Sequence, residues 1–503
     1  VRTLDMMDVV HKRFEGASIP LAVYERLYTD RSMTFLYESL ESKGSRGRYS
    51  FLGGKPFAVL RSKRQQVNLD ILDVNQQTYT VVEKHTYEGH PLHILRNLMA
   101  DLPKPPELHP FPGGAIGYAG YDIVRCFEKL PELKPDVLDV SDTCFLFPTE
   151  LIMIDHVEKH FDVLLYGPQD LLKEDAHRAK YLQRLEAIAD VVKACQGPEP
   201  LPLQTSEIFE TASQKDADAV QGGKEELQRS GVQSNTTKEA FEAAVNQAKE
   251  YILAGDIFQV VLAQRLSFEL QTTPLRLYEA LRTSNPSPYM YFLNLDDVHI
   301  LGSSPETQVK LEGRKVDIRP LAGTRPRGKT LEEDEALAKD LLADEKERAE
   351  HIMLVDLARN DIGRVCEYGS VQTTELLELE HYRRVMHLVS HVQGTLHSER
   401  DAFDLFEATF PAGTVSGSPK IRAMEIIEEL EPVQRGIYAG AIGYFGSSGD
   451  MDMCIAIRTI VLKGNTGHIQ AGAGIVADSV PEMEYQETLN KARGLLKAVE
   501  AVV

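Results

Sequence analysis

The chain has 503 residues, 43% hydrophobic and 26% charged, which is apolar enough to fold and long enough for more than one core. A formal net charge of -21 with no Lys/Arg-rich tract argues against nucleic-acid or anionic-membrane partners, and an anionic small substrate would need a metal, an arginine or backbone amides. The five cysteines have no metal-ligand or C-x-x-C spacing. Their odd number, the lack of a membrane-length apolar run and an opening VRTLDMMDVVHKRF without a signal core predict a cytoplasmic protein.

From about 17 to 167, short β-rich runs alternate with turns: FAVLRS from Phe57, QQTYTVVEKHTY from Gln76, FLFPTELIMID from Phe145 and HFDVLLYG from His160. Helical text intervenes at HPLHILRNLMADL, where Leu92, Ile94, Leu95 and Leu98 share one side. A second helical pattern covers 173–194, and the polar stretch 197–235 reads as a linker. The expected organisation is an N-terminal region over 1–170, a helix and linker over 171–235, and a catalytic region over 236–503. The last opens with a capping box of Thr236 and Glu239 ahead of Phe241, Val245, Ala248 and Ile252.

A strand from about Phe258 to Leu270, a helix from Pro274 to Thr283, and the strand runs MYFLNL, VHILGS, TQVKLEG and KVDIRPLAG come next. LEEDEALAKDLLADEKERAEHIMLVDLARND reads as one helix up to Gly363, and DAFDLFEATF as another. The chain closes with YAGAIGYF, the hairpin CIAIRTIVLKGNTGHIQAGAGIV, and a helix opened by a capping box of Ser479 and Glu482. Tyr485, Leu489, Ala492, Leu496 and Val499 form that helix's expected buried stripe. Hairpin rather than crossover spacing predicts an α+β fold with largely antiparallel sheets. GAIGYAG at 114–120 returns as GAIGYFG at 440–446, and LGGKPFAVL from Leu52 echoes LGSSPETQVK from Leu301, so an internal duplication is expected.

Two nucleotide motifs are near misses. Gly472, Gly474 and Ala477 fit G-x-G-x-x-A, but on an antiparallel hairpin with no β-α-β unit, and GTVSGSPK at 413–420 lacks the G-K-[ST] ending. The missing Cβ atoms of Gly472 and Gly474, flanking Ala473, instead let a ligand approach the backbone. Glu487, with Glu484 before it and Lys491 after it, reads either as a solvated ion-pair row or as one face of a site. Glu347 and Glu350 form a surface acidic patch, or Glu350 joins Glu487 in offering the oxygen ligands Mg2+ prefers. Arg458 lies among Cys454, Ala456, Ile460 and Leu462 on an apolar strand face, where it needs an internal acid or a substrate carboxylate. His387 is a satisfied core histidine or a proton-transfer group, and Gly323 with Thr324 is a structural turn or a hydroxyl-bearing wall.

Taken together, IRPLAGTRPRG, DEKERAEHIMLVDLARND, VMHLVS, GTVSGSPKIRAM, YAGAIGYF, CIAIR and QAGAGIVADSVPEMEYQETLNKAR resemble the chorismate-utilising enzymes. The likeness is dense from about 235 onward and thinner through LYES, YSFLGG and GGAIGYAGYDIVR. It implies two sheets packed face to face with helices outside. Ala322 stands where aminodeoxychorismate synthases typically carry the lysine of PIKGT, and Gln259 where isochorismate and salicylate synthases place a water-activating lysine. Lacking both amines, the site is expected to take ammonia and form anthranilate and pyruvate, feeding tryptophan biosynthesis. The rival readings are a synthase that stops at the amino intermediate and a non-catalytic tryptophan-binding regulator.

The resemblance also implies roles. Glu350 and Glu487 would ligate Mg2+, with Glu347 and Glu484 behind them or acting through water. Arg458, Tyr438, Lys491 and the backbone of Gly472, Ala473 and Gly474 would hold the enolpyruvyl carboxylate side, and Gly323 and Thr324 would line the ring pocket. Glu306 in SSPET would be the acid for the departing hydroxyl, His387 the base at C2, and Thr414 an orienting group. No cysteine sits in a glutaminase-type turn, so a separate glutamine amidotransferase subunit is implied, in a heterotetramer. Tryptophan is the implied feedback inhibitor, held by Glu38 and Ser39 in LYES, with Tyr37 where LLES is usual, and by Pro288, Tyr289 and Met290 in NPSPYMYF.

Overall fold

The computed structural model describes residues 7–40, 48–73, 80–100, 102–104, 110–197, 231–381 and 385–502. Most of the expected linker at 197–235 and the start of the QQTYTVV run lie outside the described residues.

Strand pairing is antiparallel throughout the described residues, and 22 strands form one hydrogen-bonded network in two layers. One layer runs from Met7–Glu15 to His160–Pro168, the second half of Thr143–Asp155, the first half of Tyr49–Lys63, and Thr34–Glu38. Thr34–Glu38 then pairs with Tyr289–Asn294, and a matching series continues through Val298–Ser304, Thr459–Lys463, Thr466–Ile475 and Gln259–Glu269. The other layer is built the same way. Val81–Glu88, Gln66–Leu72, the remaining halves of the two long strands and Gly114–Ala119 meet Ala441–Gly446, Met451–Ile455, Thr307–Glu312 and Lys315–Ile318. The two long strands belong to both layers, which is why the layers form a single network.

The motif repeated in the sequence is the seam between the halves. Gly117 pairs with Gly443, Tyr118 with Ile442 and Ala119 with Ala441, so each copy hydrogen-bonds to the other about the central glycines. A Cβ at either glycine would collide with the carbonyl of the adjacent strand, Cys144 or Asp452, so only glycine lets the strands approach this closely. This is the arrangement expected of a duplicated unit.

Between the layers lies a core made only of strand and connecting residues, including Phe35, Phe51, Ile116, Tyr291, Ile300 and Tyr444. Helices cover the outer faces. Phe241, Leu277, Leu489 and Val192 pack over the first layer, and Leu95, Val355, Phe406 and Met424 over the second. Among the described residues no helix is long and apolar enough to cross a membrane.

Several local expectations are corrected. The long helix ending at Gly363 is two helices, Leu331–Ala343 and Glu345–Gly363, because Asp344 takes extended geometry and its carboxylate accepts from the N–H groups of Lys346 and Glu347. The helix Lys238–Leu253 is capped by Thr237, not Thr236. Ser479 and Glu482 form no capping box: Pro481 fixes the first helical position, Val480 precedes it, and Glu482 pairs with Lys238 at 2.6 Å. Along that helix Leu495 is buried where Leu496 was expected.

Candidate active site

The residues singled out in the second half come together at one cleft, where two layer strands are interrupted. Val298–Ser304 ends before Pro305 and Glu306, and the chain resumes as Thr307–Glu312. Met451–Ile455 likewise stops before Arg458, which has left-handed backbone (φ 51°), and resumes as Thr459–Lys463. Arg458 is thus not a strand residue facing Cys454 and Ile460, as its sequence suggested, but sits at a strained corner. It is solvent-accessible, yet enclosed deeply enough for burial to lower its pKa, as expected for a side chain lining a deep cleft. Among the described residues it makes no ion pair, although Tyr438 and Glu487 lie close enough to favour its charge.

Glu306 is buried, and burial raises its pKa to about 8 against the opposing influence of Thr414 and Lys491. Its carboxyl is therefore protonated at neutral pH. Thr414 Oγ1 is buried beside it without a well-formed hydrogen bond in the structure. Lys491 ion-pairs with Glu487 at 2.7 Å and donates to the Gly472 carbonyl at 3.0 Å, which joins the C-terminal helix to the glycine strand. A Cβ on Gly472 would lie 2.8 Å from Tyr438 Oη, and one on Gly474 would lie 2.7 Å from Gln259 Nε2. The two glycines thus leave the room beside the strand that the Tyr438 and Gln259 side chains occupy.

At the opposite wall, Gly323 (φ 70°) forms a bulge between Ala322 and Thr324 that a Cβ would strain. The bulge places Thr324 across from His387, whose Nδ1 is 3.0 Å from both Thr324 Oγ1 and the Gly323 carbonyl. Donation from Nδ1 to that carbonyl leaves Nε2 as the lone-pair nitrogen, and burial lowers the His387 pKa, so the ring is neutral at pH 7. The Arg458 charge adds to that lowering.

Four carboxylates from two helices close the cleft. Burial raises the Glu350 pKa to about 6; Lys346 opposes this, while Glu347, Glu487 and Glu484 reinforce it. Glu484 is raised in the same way, by burial first and then by Glu487. Glu347 is held by Arg325 at 3.4 Å and lies under the Gly323 bulge.

The five residues of LYES and NPSPYMYF do not reach this cleft. Glu38, Ser39, Pro288, Tyr289 and Met290 line a separate cavity of about 680 Å³ with Tyr37, Phe51 and Tyr444. The Glu38 carboxylate is fully engaged by Arg282, at 3.0 and 3.1 Å, and by Tyr278 at 2.7 Å, so it supports the wall rather than facing the cavity. Tyr289 Oη bonds Thr307 Oγ1 at 2.9 Å, and Thr307 is the neighbour of Glu306.

Sequence reasoning missed the buried pair of Arg435 and Glu431. Arg435 donates to the Val261 and Val415 carbonyls and stacks its guanidinium 5.4 Å from the Tyr438 ring centre, fixing that ring against the glycine strand. VQRGIY carries no periodicity that would have revealed it.

The family model for chorismate binding enzyme matches residues 43–497. Anthranilate synthase component 1 of Thermus thermophilus is 44% identical over 482 residues, covering 96% of this chain and 95% of that one. The Acetivibrio thermocellus protein of the same name is 41% identical, covering 99% and 98%. Among solved structures, anthranilate synthase component I from Streptococcus pneumoniae superposes with a TM-score of 0.72 at 37% identity, covering 95% of this chain and 97% of that chain. The menaquinone-specific isochorismate synthase of Escherichia coli, at 18% identity and a TM-score of 0.65, shares the fold, covering 98% and 94%. The chain belongs to the chorismate-binding enzymes and, within them, to the anthranilate synthase component 1 family.

Proposed function

We propose that this chain converts chorismate and ammonia to anthranilate, pyruvate and water. The observation that carries the reading is one cleft that holds a protonated Glu306 and an Arg458 without an ion pair among the described residues, and has no amine at Ala322 or Gln259. Arg458 binds the enolpyruvyl carboxylate, helped by Tyr438, Lys491 and the backbone from Gly472 to Gly474, and Gly323 and Thr324 border the ring. Ammonia forms the bond to C2 while the C4–OH bond breaks, and Glu306 gives its proton to the departing hydroxyl, with Thr414 orienting the carboxyl. His387 Nε2 then takes the C2 proton as the enolpyruvyl C–O bond breaks, which releases pyruvate and leaves the aromatic ring.

The donor set fits Mg2+. Four carboxylates converge where Lys346 and Lys491 offset them only in part, and among the described residues their oxygens do not gather three at a time within 4.8 Å. Two carboxylates with room for water and substrate suit this ion, so Glu350 and Glu487 would hold it, with Glu347 and Glu484 behind. When bound, Mg2+ supplies a positive charge for the ring carboxylate.

A glutamine amidotransferase subunit delivers the ammonia, in a heterotetramer, and tryptophan occupies the second cavity as feedback inhibitor, with the Tyr289 to Thr307 contact leading towards Glu306. The five cysteines are free thiols, in keeping with a cytoplasmic setting. Purified protein given chorismate, Mg2+ and ammonium should form anthranilate and pyruvate in equal amounts. Accumulation of a non-aromatic amino product, or tryptophan binding without turnover, would overturn this reading. In Glu487→Gln, turnover should fall and its Mg2+ dependence should shift to higher concentration.

A further inference from the structure

A second group of metal-ligating side chains lies outside both cavities, where the two halves of the chain touch. His90 precedes the helix Pro91–Ala100 and His93 lies in its first turn, so the H-x-x-H spacing sets both rings on one side. Glu407 faces them from the helix Ala402–Thr409. The imidazole rings stack with centres 4.2 Å apart, and the His90 and His93 Nε2 atoms lie 3.6 and 3.4 Å from the same oxygen, Glu407 Oε1. One ligand atom from each residue falls within 4.8 Å of the other two.

We propose that His90, His93 and Glu407 form a Zn2+ site that joins the helix Pro91–Ala100 to the helix Ala402–Thr409. Neither ring makes a well-formed hydrogen bond to the carboxylate, and the distances match the separation of about 3.3 Å between neighbouring ligands around a tetrahedral zinc ion. Among the described residues neither nitrogen of His90 has a hydrogen-bond partner, although both are buried, and the same holds for Glu407 Oε1. Buried polar atoms in that state call for an occupant. Two imidazoles and one carboxylate favour zinc over Mg2+, which the all-oxygen cleft suits better. The neighbouring Arg96 is neutralised by Asp401 and Asp404, each at 3.0 Å. His93 is 54% exposed, which gives the ion a path in and leaves the fourth position to water. The role is structural: the Glu407 helix runs directly into the segment that carries Thr414.

The test uses the full chain, stripped of metal and then dialysed against Zn2+ with Mg2+ in large excess. One equivalent of zinc should be retained, it should raise the thermal unfolding midpoint, and Co2+ in its place should give the visible absorption of a tetrahedral N/O site. His93→Ala, at an exposed position that tolerates truncation, and Glu407→Gln should both lose the equivalent and the thermal shift while remaining folded by circular dichroism. Glu487→Gln should keep both. Absence of retained zinc in the wild-type chain, retention by His93→Ala and Glu407→Gln, or loss in Glu487→Gln would each overturn the site.

Discussion

The two halves, joined at the repeated motif, place different side chains at two matching positions. Gly54 pairs with Glu150 in the first half, and in the second Ser303 donates to the carbonyl of Arg458, so Glu150 and Arg458 are counterparts. Likewise Pro56 and Phe57 correspond to Pro305 and Glu306. In the first half the long strands continue through these positions. Phe57 is buried against Phe147, and Glu150 is saturated by Arg184 and Lys55, each at 3.0 Å. Burial pushes the Glu150 pKa up, but Arg184 and Lys55 outweigh it and hold the group below its ordinary value. In the second half both strands break, leaving at the cleft an acid whose pKa burial raises to about 8 and, among the described residues, a guanidinium without an ion pair. One half pairs its buried charge within the fold, and the other leaves its arginine without an ion pair among the described residues.

Substitutions can break this contrast. The largest effect is expected for Glu306→Gln, which should lower turnover about 10²- to 10⁴-fold, the usual worth of a positioned acid. It should also raise the melting temperature at pH 7 to 8. The folded carboxyl titrates near 8 and the unfolded one near 4.5, so the folded state binds the extra proton and wild-type stability falls as pH rises between those values, a penalty the amide does not carry. The same pKa predicts that wild-type kcat/KM declines as pH rises through about 8, and a pH profile of Glu306→Gln lacking that limb would assign it.

Glu150→Ala should do the reverse, leaving Arg184 and Lys55 without their partner. Chemical denaturation should show a loss of roughly 1–3 kcal/mol, since the stranded Arg184 and Lys55 keep partial access to water, with chorismate kinetics unchanged in the folded fraction. Arg458→Ala strands no partner, so its melting temperature should stay near wild type while kcat/KM for chorismate drops at least about 100-fold, near the lower part of the range for truncating a charged pair. If Arg458→Ala proved the less stable and Glu150→Ala the less active, the contrast would be wrong. The smallest effect belongs to the second cavity. Ser39→Phe should raise the tryptophan concentration for half-inhibition about tenfold, within the usual span of coupling energies, and leave uninhibited turnover intact.

The sheets, the repeat and the carboxylate helices were legible because alternation, glycine motifs and capped periodic runs leave local traces. The corner at Arg458 was not, since C-I-A-I-R-T-I-V-L reads as an uninterrupted strand and a positive φ leaves no mark on composition. The break at Asp344 was hidden for a related reason: helix formers continue on both sides, and only the side chain's capping bonds show that the backbone leaves the helix. Proline displaced the expected cap at Ser479, a competition visible in the sequence but decided by geometry. Glu38 is the opposite case: its motif lines a cavity, but its carboxylate turns to Arg282, which no local pattern in the sequence indicates.

The seam at Gly117 and Gly443 has a further consequence. A strand that pairs with its own repeat about a two-fold is the contact by which two identical chains form an isologous dimer. Here the two partners are tethered in one polypeptide, so each is always present at the other's side and dilution cannot separate them. In a true homodimer, any substitution at position 150 would appear twice, and the saturated salt bridge and the open arginine could not coexist. Covalent tethering permits that asymmetry.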